Sequence, residues 1–164
     1  IFRAAPGFRP DRGELEEQEG TAMPITADSA IAALLSSVRT IALVGASPKP
    51  ERPSNGVMRF LMMHGYRVIP VNSGLAGQRI HGQMVVAHLT DIEGPIDMVD
   101  IFRNSAAAGE TVDEAIAAGA KAVWMQLGVI NVEAAARAEA AGLTVVMNRC
   151  PAIDIPRLDI APVA

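Results

Sequence analysis

Residues 41–47, Ile-Ala-Leu-Val-Gly-Ala-Ser, form an apolar run closed by a glycine, and Ser54-Asn55-Gly56-Val57 then opens a segment of helical spacing. Such a strand, turn and helix start narrow the fold sharply. The first backbone N–H groups of a helix have no partner within it, and they draw anions when a glycine turn delivers the chain to them.

The same alternation continues to the end of the chain. Apolar runs at 40–44, 67–71, 97–102, 122–127 and 143–147 read as strands, and 78–81 as a short extra one. Between them, 27–38, 54–64, 105–118 and 131–141 carry helical periodicity, three of these segments ending at Gly65, Gly119 and Gly142, and a last short helix is expected after Pro151. In the first helix Ile31, Leu34, Leu35 and Val38 share one face. Strands that alternate with helices pair in parallel through crossovers, and unbroken apolar strands are covered on both sides. The expected fold is α/β: a doubly wound, mostly parallel, Rossmann-like sheet with helices on both faces.

Residues before this pattern differ in kind. Glu14, Glu16, Glu17 and Glu19 crowd a stretch broken by Pro6, Gly7, Pro10, Gly13 and Gly20. A flexible N-terminal tail over 1–25 and one folded domain over 26–164 are expected. With 164 residues, half of them hydrophobic, a single core can form. The formal charge is −4 and no basic run occurs, which argues against nucleic acid as a partner. No apolar stretch reaches the roughly 20 residues that span a bilayer, and no signal-peptide core is present. The single cysteine, Cys150, excludes an intrachain disulfide and suits a reducing cytoplasm. His64, His81 and His88 lack metal-ligand spacing, so no metal is expected.

In an open parallel sheet, ligands sit beyond the carboxyl ends of the strands. Those ends carry Gly45-Ala46-Ser47, Val71-Asn72-Ser73, Phe102-Arg103-Asn104, Gln126-Leu127-Gly128 and Asn148-Arg149-Cys150-Pro151. Gly45 lets the chain turn and a phosphate approach, so Gly45→Val is expected to block that approach at modest cost to folding. Ser54 reads as the helix N-cap, and the Asn55 and Gly56 N–H groups as anion donors. The dinucleotide fingerprint G-x-G-x-x-G is absent, and Asn72 stands where an acid would hold a ribose. An NAD(P)-binding oxidoreductase-type domain is the alternative, and a scaffold for a protein partner a further one. No catalytic set is found: Asp97 and Asp100 point to opposite faces of one strand, Trp124 belongs to the core, and Cys150 beside Arg149 is a small partly buried thiol.

Taken in order, these blocks resemble a family. Val44-Gly45-Ala46-Ser47-Pro48 with Glu51-Arg52-Pro53-Ser54, then 65–72 (Gly-Tyr-Arg-Val-Ile-Pro-Val-Asn), 99–103, 123–128 and 147–150 are similar to the small stand-alone CoA-binding proteins. Those in turn resemble the CoA-binding domain of the succinyl-CoA synthetase α subunit. The resemblance spans about 40–158. It implies coenzyme A or an acyl-CoA as ligand, with the diphosphate near Gly45, Ala46, Ser47, Ser54 and Asn55. Val71-Asn72 and Phe102-Arg103 would flank the adenosine. Gln126 to Gly128 and the Arg149-Cys150 turn would line the pantetheine side. Arg52, Lys49 and Arg79 are the cations that its phosphates would meet. It further implies binding without acyl-CoA synthesis by this chain alone, and leaves room for a protein partner or a homo-oligomer. Asn148 departs from the Asp often found there.

Overall fold

The computed structural model describes residues 23–163. Most of the expected tail lies outside them. Ile25, placed at its end, donates its N–H to Val145 O at 2.9 Å and packs against the core, so the folded part begins before residue 26.

The elements in chain order are α1 (Asp28–Ser37), β1 (Thr40–Val44), α2 (Pro53–Met63), β2 (Arg67–Val71), β3 (Arg79–Ile80), β4 (Gln83–Met84), β5 (Met98–Ile101), α3 (Ser105–Ala117), β6 (Ala122–Met125), α4 (Val132–Ala140), β7 (Thr144–Val146) and α5 (Pro151–Arg157). Single 3-10 turns occupy Ser73–Leu75 and Leu89–Asp91. Five strands form one parallel sheet in the order β2-β1-β5-β6-β7. The order reverses between β1 and β5, and at such a switch point the connections leave on opposite faces and a crevice opens. The expected fold class is therefore observed. Pro70, which has no N–H to give, sits in the edge strand β2, where the ladder tolerates it.

Successive strand residues point to alternate faces, and both faces are dry. Ile41, Leu43, Met98, Trp124 and Val146 meet α1, α2 and α5 on one side. Ala42, Val44, Val99, Ile101, Val123 and Met125 meet the alanine-rich faces of α3 and α4 on the other. Small residues on α3 and α4, such as Ala108, Ala115, Ala134 and Ala138, let these helices lie close to the sheet.

Two local readings are corrected. The short strand expected at 78–81 is the first arm of an antiparallel hairpin: Arg79 pairs Met84 and Ile80 pairs Gln83 around the His81-Gly82 turn. Helix α2 starts at Pro53, with Arg52 as its N-cap and no side-chain cap bond. A proline's fixed φ suits the first helical position, so Ser54, expected as the cap, falls one residue inside the helix.

Asp97 ends just before β5 and fastens its neighbour. Its carboxylate accepts N–H bonds from Arg39 at 3.0 Å and Thr40 at 2.9 Å, and Lys121 lies 3.3 Å away. Burial works to raise this carboxyl, but the Thr40 and Arg39 donors and the Lys121 ammonium outweigh it and hold it below the usual range. The carboxylate therefore stabilises the fold above about pH 4, and the contribution is lost as pH falls through the lowered value. Asp97→Ala is expected to cost about 1–3 kcal/mol in urea unfolding at pH 7, because two backbone donors lose their partner. The gap between variant and parent should close on acidification.

Candidate functional site

The crevice at the β1/β5 switch point is a cleft of about 630 Å³, within the range of small-molecule sites. Its walls are built by four strand ends and two helix starts. Gly45, Ala46 and Ser47 leave β1, Phe102 leaves β5, Gln126, Leu127 and Val129 leave β6, and Cys150 precedes α5. Lys49, Arg52, Pro53, Ser54 and Val57 close it from the β1–α2 loop and α2, with Asn72 after β2. A smaller cavity of about 370 Å³ shares Gly45 and Asn72 with it and reaches Val71, Ser73, His88, Arg103, Glu110 and Glu114.

The cleft has two ends of different chemistry. At one end stand Lys49 and Arg52, neither with an ion-pair partner among the described residues, together with Ser47 and Ser54; no carboxylate lines the cleft. Ser54 is the second residue of α2, so its N–H has no helical partner. The lining after β6 and before α5 is mostly apolar, with Leu127, Val129 and Cys150 beside Gln126, while Phe102 lies against the Gly45 turn. The smaller cavity differs again, for Arg103 there faces Glu110 at 4.0 Å and His88 lies 3.8 Å from Glu114.

Hydrogen bonds between loops give the walls their shape. Asn72 donates Nδ2 to Ala46 O at 2.9 Å and accepts from Gly74 N at 3.0 Å, which occupies both ends of its amide. Asn55 donates Nδ2 to Ser47 O at 2.9 Å. At the apolar end Gly128 N donates to Asn148 Oδ1 at 2.8 Å, Trp124 Nε1 to Arg149 O at 2.8 Å, and Ile130 N to Ser105 Oγ at 3.0 Å. Asn148 sits at φ 60°, a left-handed conformation that its short amide tolerates.

Most of the predicted residues meet here. Gly45, Ala46, Ser47, Arg52, Ser54, Asn72, Phe102, Gln126 and Cys150 line the cleft, as does Lys49, while Val71 and Arg103 line the smaller cavity. Four of the predicted residues, Asn55, Gly128, Arg149 and Arg79, line neither. Asn55 lies behind the loop, Gly128 shapes the rim through its bonds to Asn148 and Ser105, and Arg149 turns away. The Arg149 guanidinium makes paired bonds of 2.8 and 3.0 Å to Asp154, which also accepts from Arg157. Arg79 reaches only Gly82 O, at 2.9 Å, within its own hairpin. Leu127, within the expected 126–128 segment, lines the cleft, whereas Val57 and Val129 were not predicted; Val57, three residues after Ser54 on α2, was legible by helical spacing.

Gly45 is needed for a different reason than expected. It lies at φ 87°, and a Cβ there would run into the Phe102 carbonyl. Backbone of the neighbouring strand, not ligand, fills that space. Gly45→Val therefore disrupts the sheet edge itself, and the modest folding cost expected from sequence is corrected.

Beneath the cleft lies Asp100, fully buried on the α1, α2 and α5 side of the sheet. Gln126 Nε2 donates to its Oδ2 at a long 3.4 Å, and Oδ1 has no partner. Burial pushes this carboxyl well above the usual range, with only the Gln126 amide acting the other way. Burial likewise pushes the Cys150 thiol up, against the N–H groups of Ile153 and Ala152. This agrees with the small, partly buried thiol expected there, and the neighbouring Arg149 is bonded to Asp154. No group of three or more His, Cys, Asp or Glu suited to a metal exists among the described residues, and no helix there is long and apolar enough to cross a membrane.

A family model described as the CoA binding domain matches residues 39–156, and the chain belongs to that family. Binding of coenzyme A is the property that membership supports. The Bacillus subtilis (strain 168) protein YneT is 35% identical over 117 residues, 71% of this chain and 85% of its own. A hypothetical protein of Pyrococcus horikoshii OT3 superposes with a TM-score of 0.78 at 42% identity, covering 84% of this chain and 96% of that one. A dinucleotide-forming acetyl-coenzyme A synthetase of Ca. Korarchaeum cryptofilum shares the fold, with a TM-score of 0.61 at 22% identity over 72% of this chain and 27% of that one. The resemblance drawn from the sequence blocks is thus borne out.

Asp100 yields a sign-specific prediction. A carboxyl whose folded value is raised stabilises fully below its ordinary value, near 4, and loses that contribution as pH rises toward the folded value. Asn cannot ionise, so Asp100→Asn should raise the melting temperature at pH 8 and have little effect at pH 4.5. Thermal melts at both pH values check this, and an equal effect at both would contradict the assigned protonation.

Proposed function

We propose that the chain binds coenzyme A, free or acylated, in the 630 Å³ cleft and performs no chemistry on it alone. The observation that carries this is the division of the cleft. Unpaired Lys49 and Arg52 with the α2 start suit a pyrophosphate, and the apolar end suits pantetheine. The adjoining cavity around Val71, Asn72 and Arg103 is assigned to the adenosine. Family membership supports the ligand; this geometry supports its pose. Three features favour binding without catalysis: no histidine or carboxylate lines the cleft, Cys150 is held as a thiol, and Asp100 is sealed beneath the wall. The NAD(P) alternative loses support at Asn72, whose amide is spent on Ala46 and Gly74 where a ribose-binding acid would stand.

Titration calorimetry with coenzyme A, dephospho-coenzyme A, NAD and NADP tests the reading. Coenzyme A should bind tightest, and tighter binding of NAD would overturn it. The Lys49→Ala/Arg52→Ala double variant should weaken coenzyme A by about tenfold or more, since charge-assisted bonds to phosphate are lost, and should flatten the dependence on salt. Unchanged affinity would move the phosphates elsewhere.

A further inference from the structure

Outside the cleft, His81 is set in a conformation its own hairpin does not explain. It lies at φ 47° and Gly82 follows at φ 78°. Two successive positive values make the tight hairpin turn for which Asn-Gly is the favoured pair. A bulkier side chain in that first position carries strain that something else must hold.

What holds it is α2. His81 Nε2 lies 3.0 Å from Asn55 O and 3.1 Å from Asn55 Oδ1. Both atoms are acceptors, so Nε2 bears the proton and donates to the pair. Asn55, only 8% exposed, is thereby fixed with its Nδ2 toward Ser47 O, 2.9 Å away. Ser47 lines the cleft, whereas His81 and Asn55 do not. A chain of bonds thus runs from the β3–β4 hairpin, through the first turn of α2, to the loop that follows β1.

The geometry points to His81 as a positioning residue that pre-sets the 46–53 loop for a pyrophosphate. The inference rests on coenzyme A occupying the cleft as proposed above. Residues 48–53 of that loop are exposed and joined mainly to one another. Ala46 is tied to β2 through its N–H to Val71 O and to Asn72 through its carbonyl, and beyond Ala46 the side-chain tie from the body is the Asn55 bond to Ser47. Without His81, Asn55 Oδ1 loses its donor, the amide is free to rotate, and Ser47 is released. Ordering the loop then falls to the ligand, which binds more weakly for it.

The test compares coenzyme A affinity and melting temperature for the full chain, His81→Asn and His81→Gln. Asn suits the turn better than His but is too short to reach Asn55. His81→Asn is therefore expected to bind about five- to tenfold more weakly with no fall in melting temperature, the change expected from losing one hydrogen bond of preorganisation. His81→Gln returns an N–H donor at similar reach and should restore affinity to within about twofold. Unaltered affinity in His81→Asn overturns the inference, and so does a joint loss of affinity and stability that Gln does not rescue. Failure of the parent chain to bind coenzyme A overturns the underlying reading, and this inference with it.

Discussion

The exit of β1 and the exit of β5 approach so closely that residue 45 has no room for a side chain. The Phe102 carbonyl occupies the position of its Cβ, and φ 87° turns the chain away from the strand direction. Gly45 N and Ala46 N both point to Val71 O, so the turn is anchored on its other side to β2. Three strands thus converge on one glycine. Because strand order reverses here, the α2 crossover lies on one face and the α3 crossover on the other, and the crevice between them has no helix to fill it. The position of the site follows from topology, and its closeness to backbone N–H groups follows from the glycine.

Given that crevice, charge decides how it is divided. Of the eleven lysines and arginines among the described residues, five face carboxylates: Arg103 with Glu110, Lys121 with Asp97, Arg137 with Asp113, Arg149 and Arg157 with Asp154. Arg39, Arg59, Arg67 and Arg79 do not, but they line neither cavity. In a chain of net charge −4, Lys49 and Arg52 stay unpaired at one end of the cleft. Asp100, beneath the opposite wall, is fully buried, and that burial pushes its carboxyl well above the usual range and disfavours a charge there.

The fold was legible because its signals are local. Apolar runs of strand length, helical spacing and stop glycines at 65, 119 and 142 mark the elements within a residue or two. Strand ends placed most cleft residues, since a parallel sheet sends all its carboxyl ends to one edge. Side-chain direction was not legible. Arg149 adjoins the cleft residue Cys150 in sequence and was placed on the pantetheine side, yet Asp154, five residues on, takes its guanidinium. Ser54 was read as a cap because serine is a good one, but Pro53 beside it is a better first helical residue and shifts the start. Gly45 was rightly singled out for the wrong neighbour, because Phe102 lies 57 positions away along the chain.

The same limit explains His81. Within its own segment it looks like a turn residue poorly suited to its turn. Its partner Asn55 is 26 residues earlier, and the contact exists only because the hairpin runs back along the edge strand: Val86 pairs with Val71, and Asn72 N donates to Val86 O. The edge strand β2 therefore does two jobs. Through Val71 it holds the Gly45 turn, and through Val86 it hangs the hairpin whose tip reaches the start of α2. Both routes end on residues 45–47, so the cleft loop is braced from the sheet beneath and from the hairpin beside it. A loop rich in proline and exposed to solvent needs such bracing from outside, because its own backbone supplies few bonds to hold one shape.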